Sequence, residues 1–169
     1  MSKEKLSGEK IVNAIREAGV SHILSVPDRT TEKGILRRVA KDDSFRHVRV
    51  SKEDETIGIS AGLSYSNTRS LCLFQYTGLL DSLNAVRAIA MEYSMPICMM
   101  VGLLGKKPGV APKESENYGI RIVEPILEAM EMTYVLIESN HDVKKIVPAI
   151  EEAYKNSTPI TFLIGRSPI

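Results

Sequence analysis

The sequence predicts a single α/β domain over residues 1–169, a three-layer α/β/α arrangement around a six-stranded, mostly parallel sheet. Three observations lead there. Strand-like and helix-like segments alternate from one end of the chain to the other. Several strand-like segments, such as Leu71-Cys72-Leu73-Phe74 and Ile97-Cys98-Met99-Met100-Val101, are unbroken apolar runs, which indicates burial on both faces beneath helices. A chain of 169 residues, 43% hydrophobic and 25% charged, suits one core.

The elements follow in order. Gly8–Glu17 carries Ile11, Val12 and Ile15 at helical spacing and stops at Ala18-Gly19. His22–Val26 is the first strand, closed by Pro27-Asp28, with a helix predicted over Thr31–Val39. His47–Val50 is the second strand. The helix after it, Glu53–Ser66, opens on Glu53, Asp54 and Glu55 and then carries Gly58, Ser60, Ala61 and Gly62. Leu71–Gln75 is the third strand, followed by a long apolar helix over Leu79–Tyr93. Pro96–Gly102 is the fourth strand. Residues 103–118 then break the rhythm, and connections of this length are usually functional or disordered. Their Lys, Gly and Pro content predicts mobility. Ile122–Met130, Tyr134–Ile137, Asp142–Tyr154 and Pro159–Ile164 complete the alternation.

Composition narrows the function classes. A net charge of +1, 5% aromatic residues and no Trp do not imply a nucleic-acid partner. No run approaches the roughly 20 apolar residues that span a bilayer. The polar start, Met-Ser-Lys-Glu-Lys, leads us to expect a cytoplasmic protein without membrane contact. Cys72 and Cys98 each lie in an apolar run and read as buried free thiols. His22, His47 and His141 stand at strand starts or before a helix and read as surface or edge residues. No Ser-His-Asp set, Cys-His pair or phosphate-cradling glycine loop is present.

In open parallel sheets, ligands bind beyond the carboxyl ends of the strands. Four segments lie there: Val26–Thr30, Ser51–Glu55, Gln75–Gly78 and the long connection after Gly102. Acids in a first helical turn favour the helix dipole, and Ser51 with Asp54 reads as a capping-box-like pair. The glycines are not explained that way, since each costs about 1 kcal/mol inside a helix. They predict the close approach of a cofactor ring or a partner helix. Lys106 and Lys107 read as a solvated loop tip or as an attraction for an anionic substrate.

Taken together, Gly8-Glu9-Lys10-Ile11-Val12, Val26-Pro27-Asp28, Lys52-Glu53-Asp54-Glu55…Gly58-Ile59-Ser60-Ala61-Gly62, Gln75-Tyr76-Thr77-Gly78-Leu79 and Ser82-Leu83-Asn84-Ala85 resemble the pyrimidine-binding domain of thiamine-diphosphate enzymes. The likeness covers nearly the whole chain. It points to the α subunits of sulfopyruvate decarboxylase and the matching part of phosphonopyruvate decarboxylase. In that family a glutamate at the end of strand two stands nine residues before a helix glycine. Counting back from Gly62 gives Glu53, with Glu55 the alternative by proximity.

The resemblance implies that Glu53 hydrogen-bonds the cofactor's pyrimidine ring and activates it, with Pro27, Asp28, Gln75, Thr77, Gly78 and Asn84 around the cofactor. It implies decarboxylation of a small 2-oxo acid. Carboligation of the acetolactate-synthase type and a non-catalytic scaffold of the same fold are the alternatives. The family's Gly-Asp-Gly and Asn-Asn signals are absent from this sequence. The diphosphate and Mg²⁺ are therefore expected on a separate β subunit, in a hetero-oligomer that includes a contact between copies of this chain. The chain also departs from the family pattern. Leu80 replaces a common glycine, Asp81 a common Asn, and Leu103-Leu104-Gly105 a basic or His-containing loop. Lys106, Lys107, Lys113 and Arg121 are the candidates to replace the missing cation.

Overall fold

A computed structural model describes residues 5–169. Its six strands form one sheet in the order β2-β1-β3-β4-β6-β5, and every neighbouring pair is parallel. The elements are α1 (Gly8–Glu17), β1 (His22–Ser25), a π-helical turn (Glu32–Leu36) running into α2 (Arg37–Val39), β2 (Arg46–Arg49) and α3 (Glu53–Tyr65). Next come β3 (Ser70–Gln75), α4 (Tyr76–Asp81), α5 (Leu83–Ala85), a π-helical segment (Val86–Glu92) and β4 (Cys98–Gly102). A 3-10 turn (Pro112–Glu114), α6 (Tyr118–Arg121), α7 (Val123–Ala129), β5 (Thr133–Ile137), α8 (Asn140–Val143), α9 (Ile146–Asn156) and β6 (Ile160–Ile164) finish the chain.

The apolar runs lie where two-sided burial demands. Every residue of β4 and β6 is buried, while the charged Arg46 and Arg49 of β2 mark an exposed edge. One core layer joins α1 and α9 to one face of the sheet through Ile11, Ile15, Ile146, Ile150 and Phe162. The other joins α3, α4 and α7 to the opposite face through Ile57, Leu79, Leu127, Phe74 and Met99. Cys72 and Cys98 fall in different layers, on opposite faces, and both are free. Burial pushes the Cys72 thiol up to about 12. No helix among the described residues is long and apolar enough to cross a membrane.

Two expected helices are broken. The helix expected over Leu79–Tyr93 begins earlier, at Tyr76, and bends at Ser82, whose ψ of 2° closes α4. The Ser82 hydroxyl is buried at this bend without a hydrogen-bond partner among the described residues. The other, within Asp142–Tyr154, comes from proline, as does the junction of α6 with α7, where the helix expected over Ile122–Met130 forms. Pro125 and Pro148 each occupy the third position of α7 and α9, and neither can donate to the residue four back. Those residues, Arg121 and Lys144, are where α6 and α8 run out.

The base of α1 is seated by backbone contact. A Cβ at Gly8 would collide with the Gly34 carbonyl, and one at Gly34 would collide with Pro168. The Gly8 N–H donates to the Ile169 carbonyl at 2.9 Å, tying the carboxyl-terminal residues to this stack. Gly34→Ala should therefore lower stability by about 2–3 kcal/mol in denaturant titrations, the cost of overpacking a filled site.

Candidate functional site

After β1 the chain turns to β2 on one side, and after β3 it turns to β4 on the other. The switch point lies between β1 and β3, and in such sheets ligands usually bind there, beyond the carboxyl ends of the strands. Helix α3 starts above β2 and packs on β1, β3 and α4. This route brings Glu53, its first residue, to the first turn of α4. A Cβ at Gly78 would fall on the Glu53 carboxyl group, so the carboxyl occupies the place of the missing side chain. Glu53 is half-buried, and its carboxylate accepts no hydrogen bond among the described residues.

The three acids at the start of α3 have separate fates. Glu55, not Asp54, caps the helix: its carboxylate accepts the Ser51 N–H at 2.8 Å and the Lys52 N–H at 3.1 Å. The expected pairing of Ser51 with Asp54 does not form. Asp54 instead lies 3.6 Å from the Lys52 ammonium, which also reaches Asp81 at 3.5 Å. The capping-box spacing from Lys52 to Glu55 was present in the sequence, but Lys is an unusual residue at that start. Only Glu53 of the three is left facing the switch point.

The other candidate residues sort by position. Gln75 donates to the Thr77 hydroxyl at 3.0 Å, beside Gly78. Pro27 is exposed at the end of β1. Asp28 is turned inward, 1% exposed, with its carboxylate against Gly102. That carboxylate accepts the Thr30 and Thr31 N–H groups at 3.0 and 3.1 Å and the Thr31 hydroxyl at 2.8 Å. Burial raises its pKa against the lowering effect of these bonds. Asn84 is exposed and accepts from Arg87 at 3.0 Å.

The long connection is packed against its own domain, contrary to the expected mobility. Leu103, Pro112 and Ser115 are buried. Lys106 is no loop tip: its side chain is 1% exposed and its ammonium pairs with Glu138. Lys107 is exposed and pairs with Glu116 at 2.6 Å. Arg121 donates to the Ser115 carbonyl at 3.1 Å and lies over the Tyr118 ring. Apolar contacts and internal ion pairs hold this segment despite its Gly and Pro content. Among the described residues no group of three or more His, Cys, Asp or Glu is arranged to hold a metal.

The chain is 25% identical over 162 residues to the sulfopyruvate decarboxylase subunit alpha of Methanococcus maripaludis, covering 94% of this chain and 93% of that one. It is 25% identical over 159 residues to the sulfopyruvate decarboxylase of Methanosarcina acetivorans, covering 93% of this chain but only 39% of that longer one. No protein-family model matches. Among solved structures, a split-gene transketolase, described as an inactive beta4 tetramer, shares the fold with a TM-score of 0.63 at 13% identity. That match covers 96% of this chain, which spans half the length of that one.

The inward Asp28 gives a pH-dependent signature. Its folded pKa lies above the unfolded value of about 4. Its contribution to stability is thus full below that value and is lost as pH rises through the folded pKa. Asp28→Asn should therefore gain stability relative to the native chain as pH is raised from 3.5 to 7 in parallel denaturant titrations.

Proposed function

We propose that this chain is the α subunit of a two-subunit, thiamine-diphosphate-dependent decarboxylase of a small 2-oxo acid. The observation that carries this reading is the Glu53 carboxyl, held over Gly78 at the switch point with no partner among the described residues. A half-buried carboxylate that no protein group engages is available to accept a hydrogen bond from a ligand. End-to-end similarity to alpha subunits of sulfopyruvate decarboxylase supports the substrate class.

The residues fit one half of the cofactor. Gly78 removes the side chain that would push Glu53 away, and the exposed Thr77 with the half-buried Gln75 borders the same wall. Bound thiamine diphosphate supplies the electron sink that lets a 2-oxo acid lose CO₂. In this reading Glu53 would hold the pyrimidine ring by a hydrogen bond and carry a proton at its carboxyl. Gly78 and the cap at Glu55 fix where that proton moves. The diphosphate and its Mg²⁺ belong to the partner subunit.

The partner's landing place is the outward face of α3. A Cβ at Gly58 or Gly62 would meet nothing within 4 Å. On the same helix Ile59 is 38% and Tyr65 76% exposed. This face lies opposite the buried Ile57 and Ala61, on the helix whose first residue is Glu53.

Two outcomes follow. In the reconstituted two-subunit enzyme, Glu53→Gln should lower decarboxylation at least a hundredfold, with thermal stability and co-elution of the subunits unchanged. Normal turnover in that variant would sink the proposal. Gly58→Ala with Gly62→Ala should stabilise the isolated chain by about 1–2 kcal/mol through helix propensity, while weakening partner binding in calorimetric titrations.

A further inference from the structure

The end of the long connection rests on the residue that opens α4. Asn117 accepts the Gly119 N–H at 3.0 Å through its side-chain oxygen and so caps α6. Its amide nitrogen reaches the Tyr76 hydroxyl at 3.5 Å. Gly119 lies flat on the Tyr76 ring: a Cβ there would stand 2.7 Å from ring carbon Cε2 and 3.3 Å from the hydroxyl. The first distance is too short for the ring to stay in place, and the second is tight. Tyr76 is 9% exposed and belongs to the core layer under α3 and α4. The ring is thus enclosed by that layer, and a shift forced on it is passed to its packed neighbours. Tyr76 is the first residue of α4, and Gly78, two residues on, is where the Glu53 carboxyl sits.

From this chain of contacts we infer that Tyr76 is a positioning residue, through which the 103–118 segment sets where α4 begins and hence where Glu53 is held. This goes beyond the assignment of Glu53 and rests on it only for its consequence in catalysis. The segment is anchored at its near end by Lys106 with Glu138 and at its far end by Asn117 and Gly119 on Tyr76. A substrate or subunit that shifts the segment shifts Gly78 with it. The coupling is steric, because Gly119 leaves no slack against the ring.

The test uses ¹H–¹⁵N spectra of the isolated chain and needs no partner. Gly119→Ala should move the amide signals of Thr77, Gly78 and Glu53, far along the chain from the substitution. Adding Tyr76→Leu, which removes the ring that the new methyl strikes, should return the Glu53 signal toward its original position. Asn117→Ala, at an exposed side chain, should move the same signals less and keeps the test decisive if Gly119→Ala does not fold. Changes confined to residues 115–123, or a Glu53 shift that persists in the double variant, would overturn the inference. In the reconstituted enzyme Gly119→Ala should lower kcat about tenfold with KM unchanged, within the range a misplaced catalytic group produces, and Tyr76→Leu should restore part of it. A wild-type complex without decarboxylase activity would count against the proposed function alone and would leave the spectral result to decide the coupling.

Discussion

The site depends on one missing side chain. Gly78 has no Cβ, and the Glu53 carboxyl fills that place. The substitution of a carboxyl for a methyl group fixes how closely the start of α3 can approach the start of α4. It also fixes the rotation of α3 about its axis. With Glu53 turned toward α4, the cap falls to Glu55 and Asp54 faces Lys52. Ile57 and Ala61 then point into the core, and Gly58 and Gly62 point outward.

The same device recurs around the carboxyl ends of the strands. The Asp28 carboxylate lies on Gly102, the last residue of β4, and Glu138 lies on Gly165, just after β6. Tyr76 lies on Gly119. Each glycine admits a polar side chain from another segment into a space that a methyl group would close. The three carboxylates differ in how their charge is met. Asp28 has three donors from its own turn, and Glu138 has the Lys106 ammonium. Glu53 has no such donor among the described residues. That asymmetry is what the proposed role of Glu53 rests on.

Much of this was legible in the sequence. The two-sided apolar runs identified β3, β4 and β6, and turn residues placed the helices between them. The spacing from Glu53 to Gly62, met through family resemblance, selected the acid that the geometry leaves without a partner. Other features were hidden because they depend on contacts between distant segments. Nothing local in Val26-Pro27-Asp28 says that the carboxylate turns inward under Gly102. Lys106 reads as a loop cation until the fold brings Glu138, after β5, beside it. The helix breaks at Pro125 and Pro148 were readable in principle, since proline in a first turn withholds a hydrogen bond from the residue four back. The bend at Ser82 carries no such marker, and its buried hydroxyl makes no hydrogen bond among the described residues.

The outward glycines of α3 set an energetic condition on the whole chain. Gly8 and Gly34 are required by backbone collisions that any larger residue would create. Gly58 and Gly62 meet no such obstacle, and at each of them alanine would favour the helix by about 1 kcal/mol. Within the isolated chain that stability is forgone without compensation. Natural chains are only marginally stable, by about 5–15 kcal/mol, so a loss of about 2 kcal/mol in one helix is substantial. Association can return it, because a partner that approaches the bare backbone of α3 buries Ile59 and Tyr65 and stabilises the folded state by mass action. The bare outward face of α3 is thus where association would offset a cost that the isolated chain carries.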